Sequence, residues 1–206
     1  NEKLSSKTKV VSIVGESNLS GLLPDIKEIT KLVREKTESI LIIDGAQLVP
    51  HRKIDVQDLG IDFLVFSGHK MLGPTGIGVV WGKKEILENM EPVYGGGDMI
   101  EEVFYDNATW APIPHKFEAG TPPYVEAIGL GAAIDYLNKI GMKNVESHSD
   151  ELREYGKKLF SDIENVNVIH SSAEKAGCTF GMYVENVHAT DLSLMLDTHG
   201  VAVRSG

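Results

Sequence analysis

A chain of 206 residues, 42% of them hydrophobic, is long enough for one substantial core and a smaller lobe beside it. The formal charge of −10 and isoelectric point near 5.1 argue against nucleic acid as a partner, because no basic stripe offsets the acidic excess. No apolar run approaches a membrane span, no basic-then-apolar leader is seen, and one cysteine excludes an internal disulfide framework, so a cytoplasmic, reducing setting is expected.

Val10-Val-Ser-Ile-Val14 reads as a first strand, followed by a loop at Gly15-Glu-Ser-Asn18. Pro24 then opens a helix whose inner face carries Ile26, Ile29, Leu32 and Val33. Ser39–Ile43 is continuously apolar, as suits a strand buried on both faces, and ends abruptly in Asp44-Gly-Ala-Gln47. A polar connection (His51-Arg-Lys53, Asp55-Val-Gln-Asp58) leads to a second such run, Phe63–Phe66, which empties into Ser67-Gly-His-Lys70. Ile77–Trp81 reads as a further strand and Lys84–Met90 as a short helix, so the order predicts an α/β layer.

From about 92 to 125, prolines and Gly95-Gly-Gly97 interrupt regular structure, yet Phe104, Tyr105, Trp110 and Phe117 argue against disorder. A loop region packed over a site or against a partner subunit is expected there. Glu126–Ile140 reads as a helix with a small-residue face (Ala127, Gly131), capped by Gly141. A second lobe is expected from about 143. It comprises a helix over 145–164 with Leu152, Tyr155, Leu159 and Ile163 on one face, strands at Val166–Ile169 and Thr179–Val184, a helix at Thr190–Thr198 and a final strand at Val201–Val203. The chain lacks an initiating Met and stops as that last strand meets a loop, so it reads as an excerpt.

Open α/β sheets bind ligands at the carboxyl ends of their strands, and two apolar runs here end in chemistry-bearing side chains. A lysine emerging from a buried strand is partly desolvated, which favours the neutral amine and a Schiff-base role for Lys70; a loop lysine in solvent is the plainer reading. Asp44 is either a turn-former or the acid that keeps a pyridinium nitrogen protonated, and an acid with a lysine in one crevice is the pairing pyridoxal phosphate requires. That reading requires both groups to face one gap about the width of the cofactor ring.

His69 stacks on or hydrogen-bonds a cofactor, relays a proton, or simply packs at a strand end. Ser67 and Thr121 are either phosphate donors or ordinary turn hydroxyls. Arg204, one of four arginines, is a two-pronged carboxylate anchor or a surface residue. Gly73-Pro-Thr-Gly-Ile-Gly78 is no nucleotide-phosphate loop, since it precedes a strand and lacks the Gly-Lys-Ser/Thr ending. His51, His115, His148, His170, His188 and His199 show no metal-ligand spacing and read as surface or packing residues. Cys178 reads as a small buried hydrophobe at the start of a strand.

Asp44-Gly-Ala-Gln47, Ser67-Gly-His-Lys70, Gly73–Gly78, Gly95-Gly-Gly-Asp-Met99, Phe117-Glu-Ala-Gly-Thr121-Pro and Ala202-Val-Arg-Ser-Gly206 stand in order. Together they resemble the Suf-type cysteine desulfurases of the class-V aminotransferase family, pyridoxal-phosphate enzymes of fold type I. The resemblance implies that residues 1–141 are the C-terminal part of a large cofactor-binding domain, a mainly parallel sheet flanked by helices. Residues 142–206 would be an incomplete small α+β domain. It further implies that Lys70 holds the cofactor, Asp44 pairs with its ring nitrogen and Gln47 contacts the ring hydroxyl. Ser67 and His69 would bind the phosphate, Thr121 the phosphate in the other subunit of a homodimer, and Asn18 would lie near the ring.

Arg204 would anchor the carboxylate of substrate L-cysteine, which becomes L-alanine as its sulfur passes to an enzyme cysteine and then to an acceptor protein for iron–sulfur cluster assembly. That cysteine follows the Arg-Ser-Gly motif in the family, beyond Gly206, so the polypeptide as given is expected to be inactive alone. Gly15-Glu-Ser17 departs from the family's more apolar or His-containing approach to the asparagine. A selenocysteine lyase or another class-V enzyme is the nearest alternative, and a non-catalytic folded fragment is an alternative of another class.

Overall fold

The computed structural model describes residues 3–169, 172, 173 and 175–206. His170 lies outside the described residues. A four-stranded sheet in the order β1-β2-β3-β4 holds the main core. Strands β1 (Val10–Val14), β2 (Ile40–Asp44) and β3 (Phe63–Ser67) are parallel, and β4 (Gly78–Gly82) runs antiparallel to β3. The reversal follows from the connection. Gly68–Ile77 is too short for the helical crossover a parallel neighbour needs.

Helix α1 (Ile26–Lys36) makes the β1–β2 crossover. Its N-cap is Asp25, whose side chain accepts from Glu28 N at 3.0 Å, so Pro24 precedes the cap and does not sit in the first turn. Ile26, Thr30 and Val33 are its buried residues, with Ile29 and Leu32 half-buried beside them. The polar connection before β3 contains a one-turn helix, α2 (Val56–Leu59), held by the Asp55 carboxylate at its N-cap and by left-handed Gly60 at its end. Side-chain capping, which apolar periodicity cannot register, creates that turn.

Leu41 and Ile43 of β2 are fully buried with Ile61, forming a cluster with Ile26, Leu48 and Leu64. The other face of β2 and the end of β3 are half-buried, so these strands are covered less completely than their apolar runs predict. At the amino-terminal edge, the Asp62 carboxylate accepts from Arg34 Nη2 at 2.6 Å, Lys83 Nζ at 2.8 Å and Leu41 N at 2.8 Å.

After α3 (Lys84–Asn89), the stretch read as irregular contains a hairpin of β5 (Ile100–Val103) and β6 (Ala108–Trp110). Fully buried Met99 anchors it, and the Trp110 indole donates to Glu91 at 2.6 Å. Helix α4 (Tyr124–Ile140) ends at Gly141 as expected. Its packed face is Leu130, Ala133 and Leu137 with Gly129 against Pro74; Ala127 and Gly131 point outward.

Helix α5 (Met142–Ser161) corrects the sequence reading more sharply. Leu152, Tyr155, Leu159 and Ile163 are exposed, while Ser149 and Arg153 are its buried residues. The inward face is chosen by polar and close-packing partners. Arg52 pairs with Glu146 and Asp150, Arg153 donates to Gly177 O and Ala173 O, and Phe160 meets Phe180 edge-on at 5.1 Å. Strands β7 (Val166–Val168) and β8 (Met182–Val184) pair antiparallel, and α6 (Ala189–Asp197) follows with His188 as its N-cap. Cys178 lies in the loop before β8, half-buried. Val201–Val203 carries no regular structure and pairs with no strand among the described residues, so the expected final strand does not form. None of the described helices is long and apolar enough to cross a membrane.

Candidate active site

Parallel register sets Val14, Asp44 and Val65 level with one another. The segments Gly15–Asn18, Asp44–Gln47 and Ser67–Lys70 therefore all leave the same carboxyl-terminal edge. The ladder continues one step past the strands, with Gly15 N donating to Asp44 O at 2.7 Å and Gly45 N to Val65 O at 2.8 Å. This close approach needs glycine at 15, where a Cβ would stand 2.8 Å from Leu48 Cδ2 and 3.2 Å from Asp44 O.

Asp44 is exposed, and its Oδ1 accepts from Ala46 N at 2.9 Å. The carboxylate thus forms the turn while still facing outward at the sheet edge. Gln47 is half-buried in that turn. Past half-buried Ser67, a single 3-10 turn (Gly68–Met71) carries His69 and Lys70. Buried Gly68 and Met71 pin it, Gly68 N donates to Ile77 O at 2.9 Å, and Leu72 closes it in the left-handed region at φ 66°. His69 and Lys70 are both exposed. Lys70 is therefore not desolvated by its strand, because it stands on the turn beyond the strand end.

Asn18 is exposed on a tight loop where Ser17 Oγ accepts from Leu19 N at 3.3 Å and Ser20 N at 3.2 Å. It lines a cleft of about 500 Å³ together with Thr179, Leu192, Leu196, Arg204 and Ser205. The fold thus faces Asn18 and Arg204 across one space, although they are 186 positions apart. Thr121 is exposed in the loop after left-handed Gly120 and does not line that cleft.

One residue of this edge went unassigned in the sequence. Glu16 is 1% exposed, and its Oε2 has no hydrogen-bond partner among the described residues. Burial raises its pKa to about 7, against the pull of Arg52 and with a further push from Asp150. The only sequence signal was the unusual glutamate two residues before Asn18.

An exposed acid and an exposed amine at neighbouring strand ends, with an amide and a guanidinium that line one cleft, form a donor set that fits pyridoxal phosphate and an amino-acid carboxylate.

Comparison with known proteins shows the family. The sequence matches the family described as "Aminotransferase class-V" over residues 1–206. It is 46% identical over 206 residues to the "Probable cysteine desulfurase" of Streptomyces coelicolor, covering all of this chain and 49% of that protein. It is 48% identical over 203 residues to that of Halalkalibacterium halodurans, covering 98% of this chain and 49% of that protein. Among solved structures, the cysteine desulfurase CsdA from Escherichia coli superposes with a TM-score of 0.90 at 34% identity, over 98% of this chain and 50% of that one. The apo cysteine desulfurase of Thermococcus onnurineus gives 0.89 at 33% identity, over 98% of this chain and 50% of that one. The chain spans about half the length of the curated relatives it matches. The fold is that of the type I pyridoxal-phosphate enzymes, and the chain belongs to the aminotransferase class-V family.

Proposed function

We propose that the protein carrying this chain is a pyridoxal-phosphate-dependent cysteine desulfurase, converting L-cysteine to L-alanine and retaining the sulfur as an enzyme persulfide. The observation that carries this reading is the arrival of Asp44 and Ser67–Lys70 at one edge of neighbouring parallel strands, the edge from which the Asn18 loop also leaves. The names of relatives at 42–48% identity support the choice of reaction within the family.

Bound pyridoxal phosphate supplies an electron sink that weakens the bonds around the substrate's α-carbon. Lys70 would hold the cofactor covalently through its Nζ, the atom at which it would also move a proton. Asp44 would keep the proton on the ring nitrogen, Gln47 would contact the ring hydroxyl and Asn18 would lie near the ring. Ser67 and His69 bind the phosphate group, with His69 also placed to relay a proton. Arg204 grips the carboxylate of cysteine in a two-pronged bond.

Residues 1–141 act as the C-terminal part of the cofactor domain and 142–206 as part of a small substrate-side domain. Exposed Tyr124, Val125 and Ile128 follow Thr121 directly on α4, which supports a homodimer in which Thr121 reaches the partner's phosphate. The persulfide sulfur passes to an acceptor protein for iron–sulfur cluster assembly in the cytoplasm.

The deciding experiment compares full-length wild type with Lys70→Ala. The wild type should purify with the cofactor's yellow absorbance and release alanine from cysteine, and the variant should lose the covalently held band. A colourless wild type that stays colourless with added cofactor would sink the proposal.

A further inference from the structure

Glu16 belongs to the loop that ends in Asn18, and no described hydrogen bond satisfies its Oε2. Its Oε1 fills the place of a missing side chain, because a Cβ on Gly177 would overlap it. The carboxyl is thus wedged between the Asn18 loop and the segment 175–181, which continues into the cleft wall at Thr179 and Phe180. Backbone bonds stitch the same two segments together: Gly177 N donates to Gly21 O at 2.7 Å and Leu23 N to Lys175 O at 3.2 Å.

The charged groups around this wedge come from two other elements. Arg52, on the turn after β2, gives its two terminal nitrogens to Glu146 and Asp150 of α5, each at 2.6 Å. Its Nε is buried and has no hydrogen-bond partner among the described residues. Arg153 of α5 donates to Gly177 O and Ala173 O. One guanidinium therefore already serves two carboxylates, and a third negative charge at Glu16 would be buried in excess. Such a carboxyl sits most favourably as the neutral acid, and when ionised it is drawn by the charge of Arg52, whose Nε–H no described bond uses.

We propose that Glu16 is a positioning residue, an acid plug that in its protonated form holds the Asn18 loop against the 175–181 segment, and that loss of its proton to solvent sends the carboxylate to Arg52 Nε–H and loosens the cleft wall. The O–H bond is the sole bond broken. A raised carboxyl pKa agrees with the geometry and puts the change near neutrality. The consequence for function, a looser hold on Asn18 above neutral pH, rests on the reading of Asn18 as a ring contact; the plug itself does not.

The test needs no cofactor. In the full-length protein, the rate at which Cys178 reacts with a thiol reagent is followed by peptide mass spectrometry from pH 5.5 to 8.5, for wild type and Glu16→Gln. Dividing one rate by the other removes the ordinary ionisation of the thiol. The wild-type-to-variant ratio should stay near one at the acid end and rise severalfold through neutral pH. Infrared difference spectra of wild type should show a protonated carboxyl band that fades over the same interval, a measurement that stands if the variant folds poorly. A flat ratio, or no protonated band at pH 6, overturns the plug. Cofactor binding is scored separately by absorbance, so loss of the desulfurase reading and loss of the plug give different results.

Discussion

Two carboxylates are buried at opposite ends of the same sheet, and they are treated in opposite ways. Asp62, at the amino-terminal edge before β3, collects Arg34, Lys83 and the Leu41 amide. Those donors outweigh its burial and hold its pKa below the usual aspartate range. Glu16, at the carboxyl-terminal edge after β1, keeps an oxygen without a partner among the described residues, and burial lifts its pKa to about 7. The edge without the candidate site saturates its acid. The edge that carries Asn18, Asp44 and Lys70 leaves one unsatisfied. Unsatisfied polar groups are costly, so their retention beside a site marks the end of the sheet where geometry is spent on something other than stability.

The largest expected effect would break the comparison outright. Lys70→Ala should remove turnover by on the order of 10²–10⁴-fold, the range for a lost proton-transferring group, while leaving the thermal transition nearly unmoved because Lys70 is exposed. A large drop in stability would make Lys70 structural.

Asp62→Ala should cost about 3 kcal/mol in denaturant unfolding at pH 7, the low end for breaking a buried pair, since its cations are a third exposed. The wild-type contribution is present above the unfolded aspartate value and fades as pH falls through the lower folded value.

Glu16 should show the reverse sign. Its folded pKa of about 7 exceeds the ordinary 4.5, so the folded state binds the extra proton and loses that advantage as pH rises between those values. Glu16→Gln should therefore match wild type near pH 4.5 and exceed it by about 3 kcal/mol at pH 8. Parallel unfolding curves for the two proteins across that range would show that Glu16 is solvated.

The smallest effect sharpens the contact itself. Gly177→Ala should cost about 1–2 kcal/mol by driving a methyl into the Glu16 carboxyl, and Glu16→Ala in the same chain should return most of it. Additive losses would mean that the two sites do not touch.

Much of this architecture was legible in residue order. Continuous apolar runs ending in Asp44 and Ser67–Lys70 announce buried strands whose ends share an edge, because side-chain burial in parallel strands is encoded locally. Gly141 announces the end of α4 by the same local logic. Helix α5 was misread because its periodic apolar stripe is genuine but unpartnered among the described residues. Its inner face was selected by Arg52, Arg153 and Phe180, which lie far away in sequence. The short α2 was missed because a carboxylate cap and a left-handed glycine build it without any apolar period.

Composition and order alone determined the class of fold, the strand-end placement of the acid and the lysine, and the ordered motifs of the family. Tertiary structure alone decided that Lys70 stands clear of its strand, that Asn18 and Arg204 share a cleft, and that Glu16 is sealed against Gly177. Strand burial and caps are short-range events written in neighbouring residues. Solvation and charge pairing depend on which distant segments close over a group, and no local pattern records that.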